Sequence, residues 1–168
     1  ANNLAIIGSA LSMKRKGNRI VSTTIEHPSV LKALDHLESL GFEVIKLSPD
    51  TDGSVSVNSF ENAIDNNTIL VSVMLVNNET GALYNIKEAF EIVRDASPDC
   101  VMHADCVQSY LKVKFTKKSI GADLISIGAH KVNGPKGVGA LYISPELLKA
   151  KKIIPIVFGG GQEFGLRS

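Results

Sequence analysis

The sequence predicts a three-layer α/β/α domain built on a mainly parallel sheet. Extended segments rich in β-branched residues alternate with amphipathic helical segments along the 168 residues. The extended segments are mostly apolar, which indicates strands buried on both faces. Polar and glycine-rich stretches follow them directly. Strands joined by helical crossovers lie parallel, are covered by helices on both faces, and carry their binding sites at the carboxyl ends of the strands.

Each element has its own local signal. The strand segments combine β-branched and apolar residues in short runs, and they cover residues 20–25, 43–47, 69–76, 101–105, 124–127 and 138–143. The best-defined helix covers 28–40, because Pro28 suits its first turn, Gly41 suits its end, and apolar residues recur between them at helical spacing. Further helices are predicted at 3–13, 57–64, 86–96 and 145–151.

Length and composition favour a single domain, 1–168, that binds a small molecule. A chain of this length with 44% hydrophobic residues buries about two-thirds of its unfolded surface in one core. The net charge is +1 and the longest basic run is 14–16, which argues against nucleic acid or an acidic membrane surface as the main partner. The longest nearly apolar run, 69–76, is far shorter than the roughly 20 residues that cross a bilayer.

The two cysteines bear on compartment and chemistry. They are too few for a disulfide framework, and no signal sequence opens the chain, so a reducing, cytoplasmic location is expected. Cys100 and Cys106 are expected to be structural, because no nearby basic cluster would lower the pKa of either thiol.

Candidate functional residues follow the predicted strands, where the chain would converge on one rim. Lys131 ends a strand on a turn-rich loop, so its amine is expected to face the rim. Asp105 ends an apolar strand, so its carboxylate needs a cationic partner such as a pyridinium nitrogen. His27 is placed to stack on a flat ring and to pass protons near neutral pH. Asn78 and Gln108 offer uncharged hydrogen bonds suited to a phenolate oxygen.

Each of these residues also has an ordinary structural interpretation. A strand-end lysine is commonly a solvated charge, a strand-end aspartate commonly caps a helix, and a histidine before a proline commonly enters one. His103, Asp105 and His130 form an alternative set of metal ligands. Nucleotide binding is a weak alternative, since no Ser or Thr follows Lys136 in the glycine-rich run 134–137.

At these positions the sequence resembles the cysteine desulfurase and selenocysteine lyase family, a class V aminotransferase-like branch of the fold-type I enzymes that use pyridoxal 5'-phosphate (PLP). The likeness runs nearly from end to end. Its motifs are Ala-Asn-Asn-Leu at 1–4, Glu-His at 26–27, Val-Asn-Asn-Glu-Thr-Gly at 76–81, His-Ala-Asp-Cys-Val-Gln at 103–108, Gly-Ala-His-Lys at 128–131, Gly-Pro-Lys-Gly-Val-Gly-Ala-Leu-Tyr at 134–142 and Gly-Gly-Gly-Gln-Glu at 159–163.

The resemblance implies a role in cofactor binding for six side chains, two of which, Lys131 and His27, would be catalytic. These roles are Lys131 holding PLP as a Schiff base, Asp105 pairing with the pyridinium nitrogen, His27 stacking on the ring, Asn78 and Gln108 approaching the phenolic oxygen, and His130 lying near the phosphate. The family commonly has a serine at the position of Gly128, so one hydroxyl that would bind phosphate is missing.

The resemblance also implies what surrounds the chain and what the whole enzyme does. The chain would be the central part of the PLP-binding large domain, without the N-terminal segment and the small C-terminal domain. The enzyme, a homodimer, would remove sulfur from L-cysteine to give L-alanine and an enzyme persulfide, and a sulfur-acceptor protein would carry that sulfur towards iron-sulfur cluster assembly. A selenocysteine lyase, another class V aminotransferase and a cofactor-free scaffold domain remain alternatives, and Gly128 favours the last.

Overall fold

The computed structural model describes residues 1–166, which form one six-stranded sheet with helices on both faces. The strands are β1 (Arg19–Thr23), β2 (Glu43–Leu47), β3 (Thr68–Met74), β4 (Val101–Asp105), β5 (Leu124–Gly128) and β6 (Gly139–Ile143). Their order across the sheet is β2-β1-β3-β4-β5-β6, and neighbouring strands are parallel except for β5 and β6, which are antiparallel. The predicted α/β class with a mainly parallel sheet is confirmed.

Four of the α-helices lie between successive strands, one precedes β1, and two follow β6. They are α1 (Ser9–Met13), α2 (Pro28–Ser39), α3 (Val57–Ala63), α4 (Ile86–Ala96), α5 (Lys117–Ile120), α6 (Pro145–Lys149) and α7 (Gln162–Gly165). A π-helical segment, Leu4–Gly8, leads directly into α1, and with the helical residues 2–3 it is called the first helical segment. A 3₁₀ turn, Ala129–Lys131, follows β5. Within the described part of the chain, none of the helices is long and apolar enough to cross a membrane.

Local chemistry explains where α2 begins and ends. The His27 side chain accepts a hydrogen bond from the Ser29 backbone N–H, and Pro28 occupies the first helical turn, where its missing N–H costs nothing. Gly41 follows the helix with a φ of 87°, a left-handed conformation that a side chain would strain. The same glycine device ends α5 at Gly121, where φ is 72°.

Two apolar layers fix the helices to opposite faces of the sheet. On one face, Ile6 of the first helical segment and Leu34 of α2 belong to a cluster with Leu70 of β3. On the other, Phe60 of α3 and Phe90 of α4 are part of a second cluster. Burying one such side chain contributes about 2 kcal/mol, so both faces anchor the sheet firmly. The loops at the strand ends therefore project from a rigid base.

The two edge strands differ from the sequence prediction. β2 and β6 were expected to be buried on both faces, but their residues are exposed or half-buried. An edge strand has a neighbour on one side only, which leaves its backbone and alternate side chains accessible. The short helix α5 and the 3₁₀ turn were not predicted, because neither is long enough to show a hydrophobic period.

Candidate functional site

Four loops meet at the carboxyl edge of the sheet. They follow β1, β3, β4 and β5, which are adjacent and parallel, so their carboxyl ends point the same way. Backbone hydrogen bonds continue beyond the strands, from Leu75 N–H to the Asp105 carbonyl and from Cys106 N–H to the Ser126 carbonyl. The edge therefore brings the predicted site residues onto one rim, as parallel topology requires.

Asp105 ends β4 with only 5% of its surface exposed. Its Oδ1 accepts a hydrogen bond of 2.9 Å from the Val107 backbone N–H, and its Oδ2 accepts one of 2.8 Å from the Asn2 Nδ2. Both donors are uncharged, and within residues 1–166 the carboxylate forms no salt bridge. A buried carboxylate held by neutral donors retains its attraction for a cation.

His27 is exposed at the start of α2 and is tied to Asp105 through two intervening side chains. Its Nδ1 lies 3.1 Å from the Ser29 backbone nitrogen and 2.9 Å from the Ser29 hydroxyl. The same hydroxyl accepts a hydrogen bond of 2.9 Å from the Asn2 Nδ2, which also reaches Asp105. The structure thus brings two of the predicted residues into one hydrogen-bonded cluster.

Glu26, the neighbour of His27, is a buried carboxyl at the same edge. Its Oε1 accepts hydrogen bonds from the Thr23 hydroxyl at 2.7 Å and from the Met74 backbone N–H at 3.0 Å, which ties the end of β1 to the end of β3. Burial raises the pKa of Glu26 to about 8, although the two donated bonds act in the opposite direction. The negative charge of Asp105 makes a smaller contribution in the same direction as burial.

Asn77 shapes the loop after β3. Its Oδ1 accepts from the backbone N–H groups of Glu79 and Thr80, each at 2.9 Å, and its Nδ2 donates to the Ile25 carbonyl at 3.2 Å. These bonds join the β1 and β3 loops. The adjacent Asn78, which the sequence singled out, is exposed, and among the described residues its side chain makes no hydrogen bond.

The loops after β4 and β5 carry the remaining predicted residues. Gln108 is half-buried, and its Oε1 accepts a hydrogen bond of 3.2 Å from the Lys112 ammonium. His130 and Lys131 lie in the 3₁₀ turn, both exposed, and within residues 1–166 the Lys131 amine has neither an ion pair nor a hydrogen bond. An unpaired amine on a short rigid turn is accessible to a ligand in solution.

Gly128 lies where the β4 and β5 loops touch. A Cβ atom built on it would come 3.2 Å from Val107 Cγ1 and 3.4 Å from the His130 ring. These partners are side chains, so a small residue fits after a shift of a few tenths of an ångström. The lack of a side-chain hydroxyl at residue 128 therefore does not mean that the space around it is blocked.

His103 does not fit the alternative metal site. It is fully buried, and its ring nitrogens face the Ser72 hydroxyl at 2.8 Å and the Ser126 hydroxyl at 2.9 Å, so neither nitrogen is available to a metal. Burial lowers the pKa of His103 to about 4, partly offset by the charge of Asp105. No cluster of three potential metal ligands occurs in the described chain.

Both cysteines are buried. Burial raises the pKa of each thiol to about 12, which keeps both in the unreactive protonated form. This agrees with their predicted structural role.

Sequence reasoning missed Asn2 and Ser29, which complete the cluster around Asp105. Asn2 stands in the motif that opens the chain, yet its partner lies 103 positions away, a separation that only the folded chain closes. Ser29 lies two residues after His27, inside the first turn of α2. A serine there is ordinary, so no sequence signal pointed to its contact with Asn2.

A parallel α/β sheet with a buried carboxylate and an unpaired lysine on adjacent carboxyl ends has the architecture of the large domain of fold-type I PLP-dependent enzymes. Comparison with known proteins narrows this class. The family model described as Aminotransferase class-V matches residues 1–166, and the chain belongs to that family. The predicted resemblance is confirmed.

Curated relatives share the sequence over the full chain. The chain is 43% identical to the cysteine desulfurase IscS of Buchnera aphidicola subsp. Schizaphis graminum and 45% identical to that of Clostridium botulinum (strain Hall), over 168 residues in each case. These alignments cover 100% of the chain and 41% of each relative. The chain thus spans about two-fifths of the length of these relatives.

Solved structures share the fold. A NifS-like protein superposes with a TM-score of 0.92 at 36% identity, covering 99% of this chain and 44% of that one. The protein SspA, solved in complex with cysteine, gives 0.90 at 37% identity, covering 99% and 47%. DndA from Streptomyces lividans gives 0.88 at 38% identity, covering 99% and 47%.

Proposed function

We propose that the chain is the central part of the cofactor-binding domain of a PLP-dependent, cysteine desulfurase-like enzyme, with Lys131 as the amine that carries PLP. The proposal rests on one observation. A buried carboxylate, Asp105, and an amine that has no partner among residues 1–166, Lys131, lie at the carboxyl ends of neighbouring strands. Family membership and the similarity to the IscS enzymes support it.

The donor set fits the cofactor. Asp105 is buried, and the donors that bond it among residues 1–166 are uncharged, so a protonated ring nitrogen would supply a neutralising positive charge. Asn78 is exposed and Gln108 half-buried, so both have capacity to bond a phenolic oxygen. His130, exposed beside Lys131, would lie near the phosphate.

Bound PLP supplies an electron-withdrawing ring that stabilises charge developing on the α-carbon of an amino acid. The protein side chains have separate tasks. Asp105 would hold the ring nitrogen in its protonated form, and His27 would stack on the ring. Lys131 Nζ, which forms no ion pair with a carboxylate among residues 1–166, would accept and return the α-proton of the substrate. Both catalytic assignments, Lys131 and His27, rest on this arrangement.

The proposed substrate is L-cysteine, because the relatives are cysteine desulfurases and SspA was solved in complex with cysteine. The sulfur would pass to a cysteine thiolate, giving L-alanine and an enzyme persulfide for a sulfur-acceptor protein. Cys100 and Cys106 are unsuited to that attack, because both are buried and burial raises their thiol pKa to about 12. The attacking thiolate would belong to a part of the enzyme other than residues 1–168. The proposed homodimer would contain a second copy of the enzyme.

The test is reductive trapping of the cofactor. The protein is incubated with PLP and reduced with borohydride, and the phosphopyridoxyl group is mapped by peptide mass spectrometry. A stoichiometric adduct at Lys131 is expected, lost in Lys131→Ala and retained in Lys136→Ala, which removes another exposed amine of the same loop. Label scattered over surface lysines and unchanged in Lys131→Ala would refute the proposal and leave a cofactor-free scaffold as the better account.

A further inference from the structure

We propose that Asn2 is a positioning residue that, through Ser29, holds the Asp105 carboxylate and the His27 imidazole in a fixed relation to each other. The effect of Asn2 on PLP binding rests on the proposed function, whereas the hydrogen bonds from Asn2 to Asp105 and Ser29 do not depend on it. The four side chains come from three separate elements: the start of the first helical segment, the first turn of α2 and the end of β4. One amide group therefore connects elements that the backbone does not join locally.

The orientation of the Asn2 amide is fixed by its neighbours. The side chain is 8% exposed, and its Nδ2 lies 2.8 Å from Asp105 Oδ2 and 2.9 Å from Ser29 Oγ. A primary amide nitrogen has two hydrogens, so each partner receives one. The reversed amide would place Oδ1 against the Asp105 carboxylate, an acceptor facing an acceptor. Only the observed orientation satisfies both partners.

The direction of the remaining bonds follows from Ser29. Its backbone N–H can only donate, so His27 Nδ1, 3.1 Å away, is an acceptor. The Ser29 hydroxyl accepts from Asn2 and directs its own hydrogen to His27 Nδ1 at 2.9 Å. The neutral imidazole therefore carries its hydrogen on Nε2. Donation runs outward from Asn2 in both directions, to Asp105 directly and to His27 through Ser29.

The unused atom of Asn2 shows what the amide is for. Its Oδ1 is buried and, among the described residues, has no donor. A buried acceptor without a partner destabilises the fold, and an apolar side chain of similar size would avoid that cost. The amide thus adds only the two bonds that its nitrogen donates. Both bonds lead to residues predicted to face the cofactor.

The first arm of the test observes the link without cofactor. In the ¹⁵N-labelled protein, the two Asn2 amide hydrogens should exchange with solvent more slowly than those of Asn3, its exposed neighbour of the same type. Ser29→Ala should shift one Asn2 hydrogen signal, and Asp105→Asn should shift the other. Asn2 signals that exchange as fast as those of Asn3 and respond to neither substitution would overturn the proposal.

The second arm measures the dissociation constant of PLP by absorbance titration. A hydrogen bond to a charged group is worth roughly a tenfold change in an equilibrium constant, so Asn2→Ala should weaken binding about tenfold, and Asn3→Ala, the matched control, should change it less than twofold. Ser29→Ala should weaken PLP binding by a smaller factor. Ser29→Thr keeps the hydroxyl and should bind PLP as tightly as the unsubstituted protein. Because Asn2 and Ser29 belong to one chain of hydrogen bonds, the double variant should lose less than the product of the two single losses.

The outcomes separate the two proposals. Equal losses in the Asn2 and Asn3 variants, or losses that multiply in the double variant, would show that Asn2 does not position the site. If the unsubstituted protein binds no PLP, the proposed function fails, while the amide signals still decide whether the link exists. Ser29 is partly exposed, so its variants test the link even if Asn2→Ala does not fold.

Discussion

The buried Glu26 carboxyl should make the protein less stable as the pH rises above neutrality. The folded protein keeps this proton up to about pH 8, whereas an unfolded chain releases it near 4.5. Between these values the folded state binds more protons than the unfolded state, so the free energy of unfolding falls with rising pH, by up to about 1.4 kcal/mol per unit. The stabilising effect is complete below pH 4.5 and is lost through pH 8.

His103 acts in the opposite sense over part of this range. Its pKa is lowered from 6.5 to about 4 by burial, so between these values the unfolded chain binds more protons and stability rises with pH. From pH 4.5 to 6.5 the contributions of Glu26 and His103 nearly cancel. Above 6.5 the contribution of Glu26 dominates, and the free energy of unfolding should drop by roughly 1 kcal/mol between pH 6.5 and 8.

Urea unfolding followed by circular dichroism at pH 5, 6.5 and 8 measures this dependence. Glu26→Gln keeps an oxygen that can accept from Thr23 and Met74 but cannot ionise, so its stability should rise to pH 6.5 and then stay level. Glu61→Gln removes an exposed carboxyl and should retain the fall above pH 6.5. A Glu26→Gln variant whose stability falls as steeply as that of the parent would refute the assignment of the proton to Glu26.

Three further predictions concern Asn77, Gly128 and the two cysteines. Asn77→Ala removes three hydrogen bonds to backbone groups and should lower the free energy of unfolding, measured in urea, by about 3 kcal/mol. Asn78→Ala should change it little, and an equally small loss for Asn77→Ala would contradict the role of Asn77 in the loop. Gly128→Ser should tighten PLP binding about tenfold, because it restores a hydroxyl that can bind phosphate. Gly128→Ala places a Cβ in the same contacts but adds no hydroxyl, so it should not tighten binding. Equal affinities of the two variants for PLP would count against a phosphate site at residue 128. Cys100 and Cys106 should resist thiol reagents until the protein unfolds, and rapid labelling of either in the native state would contradict their burial.

The sequence predicted the parts of the fold that follow local rules. The bounds of β2, β4 and α4 agree with the predicted segments, because each has a continuous apolar or periodic pattern between clear breaks. The antiparallel pairing of β6 was not predicted. A parallel connection needs a crossover of a dozen or more residues, and the ten residues between β5 and β6 form only a turn-rich loop, which was the missed signal.

The candidate site was predictable in its reactive groups but not in its supporting ones. Asp105 and Lys131 were recognisable because a charged residue at the end of an apolar strand is unusual enough to need an explanation. Asn2 gave no such signal, since an asparagine beside a helix start is ordinary in any sequence. The role proposed for Asn2 depends on its hydrogen bond to Asp105 at the end of β4, a contact between distant parts of the chain.

The ionisation states of its neighbours bear on the proposed pairing of Asp105 with a cationic ring. At pH 7 Glu26 is protonated, because burial raises its pKa to about 8, and His103 is neutral, because burial lowers its pKa to about 4. Neither cancels nor repels the Asp105 charge at that pH, and the groups that bond the carboxylate are the uncharged amides of Asn2 and Val107. Were an arginine in place of Asn2, it would satisfy the carboxylate and leave nothing for a ligand. Holding a buried charge with neutral donors fixes its position while its attraction for a positively charged ligand persists.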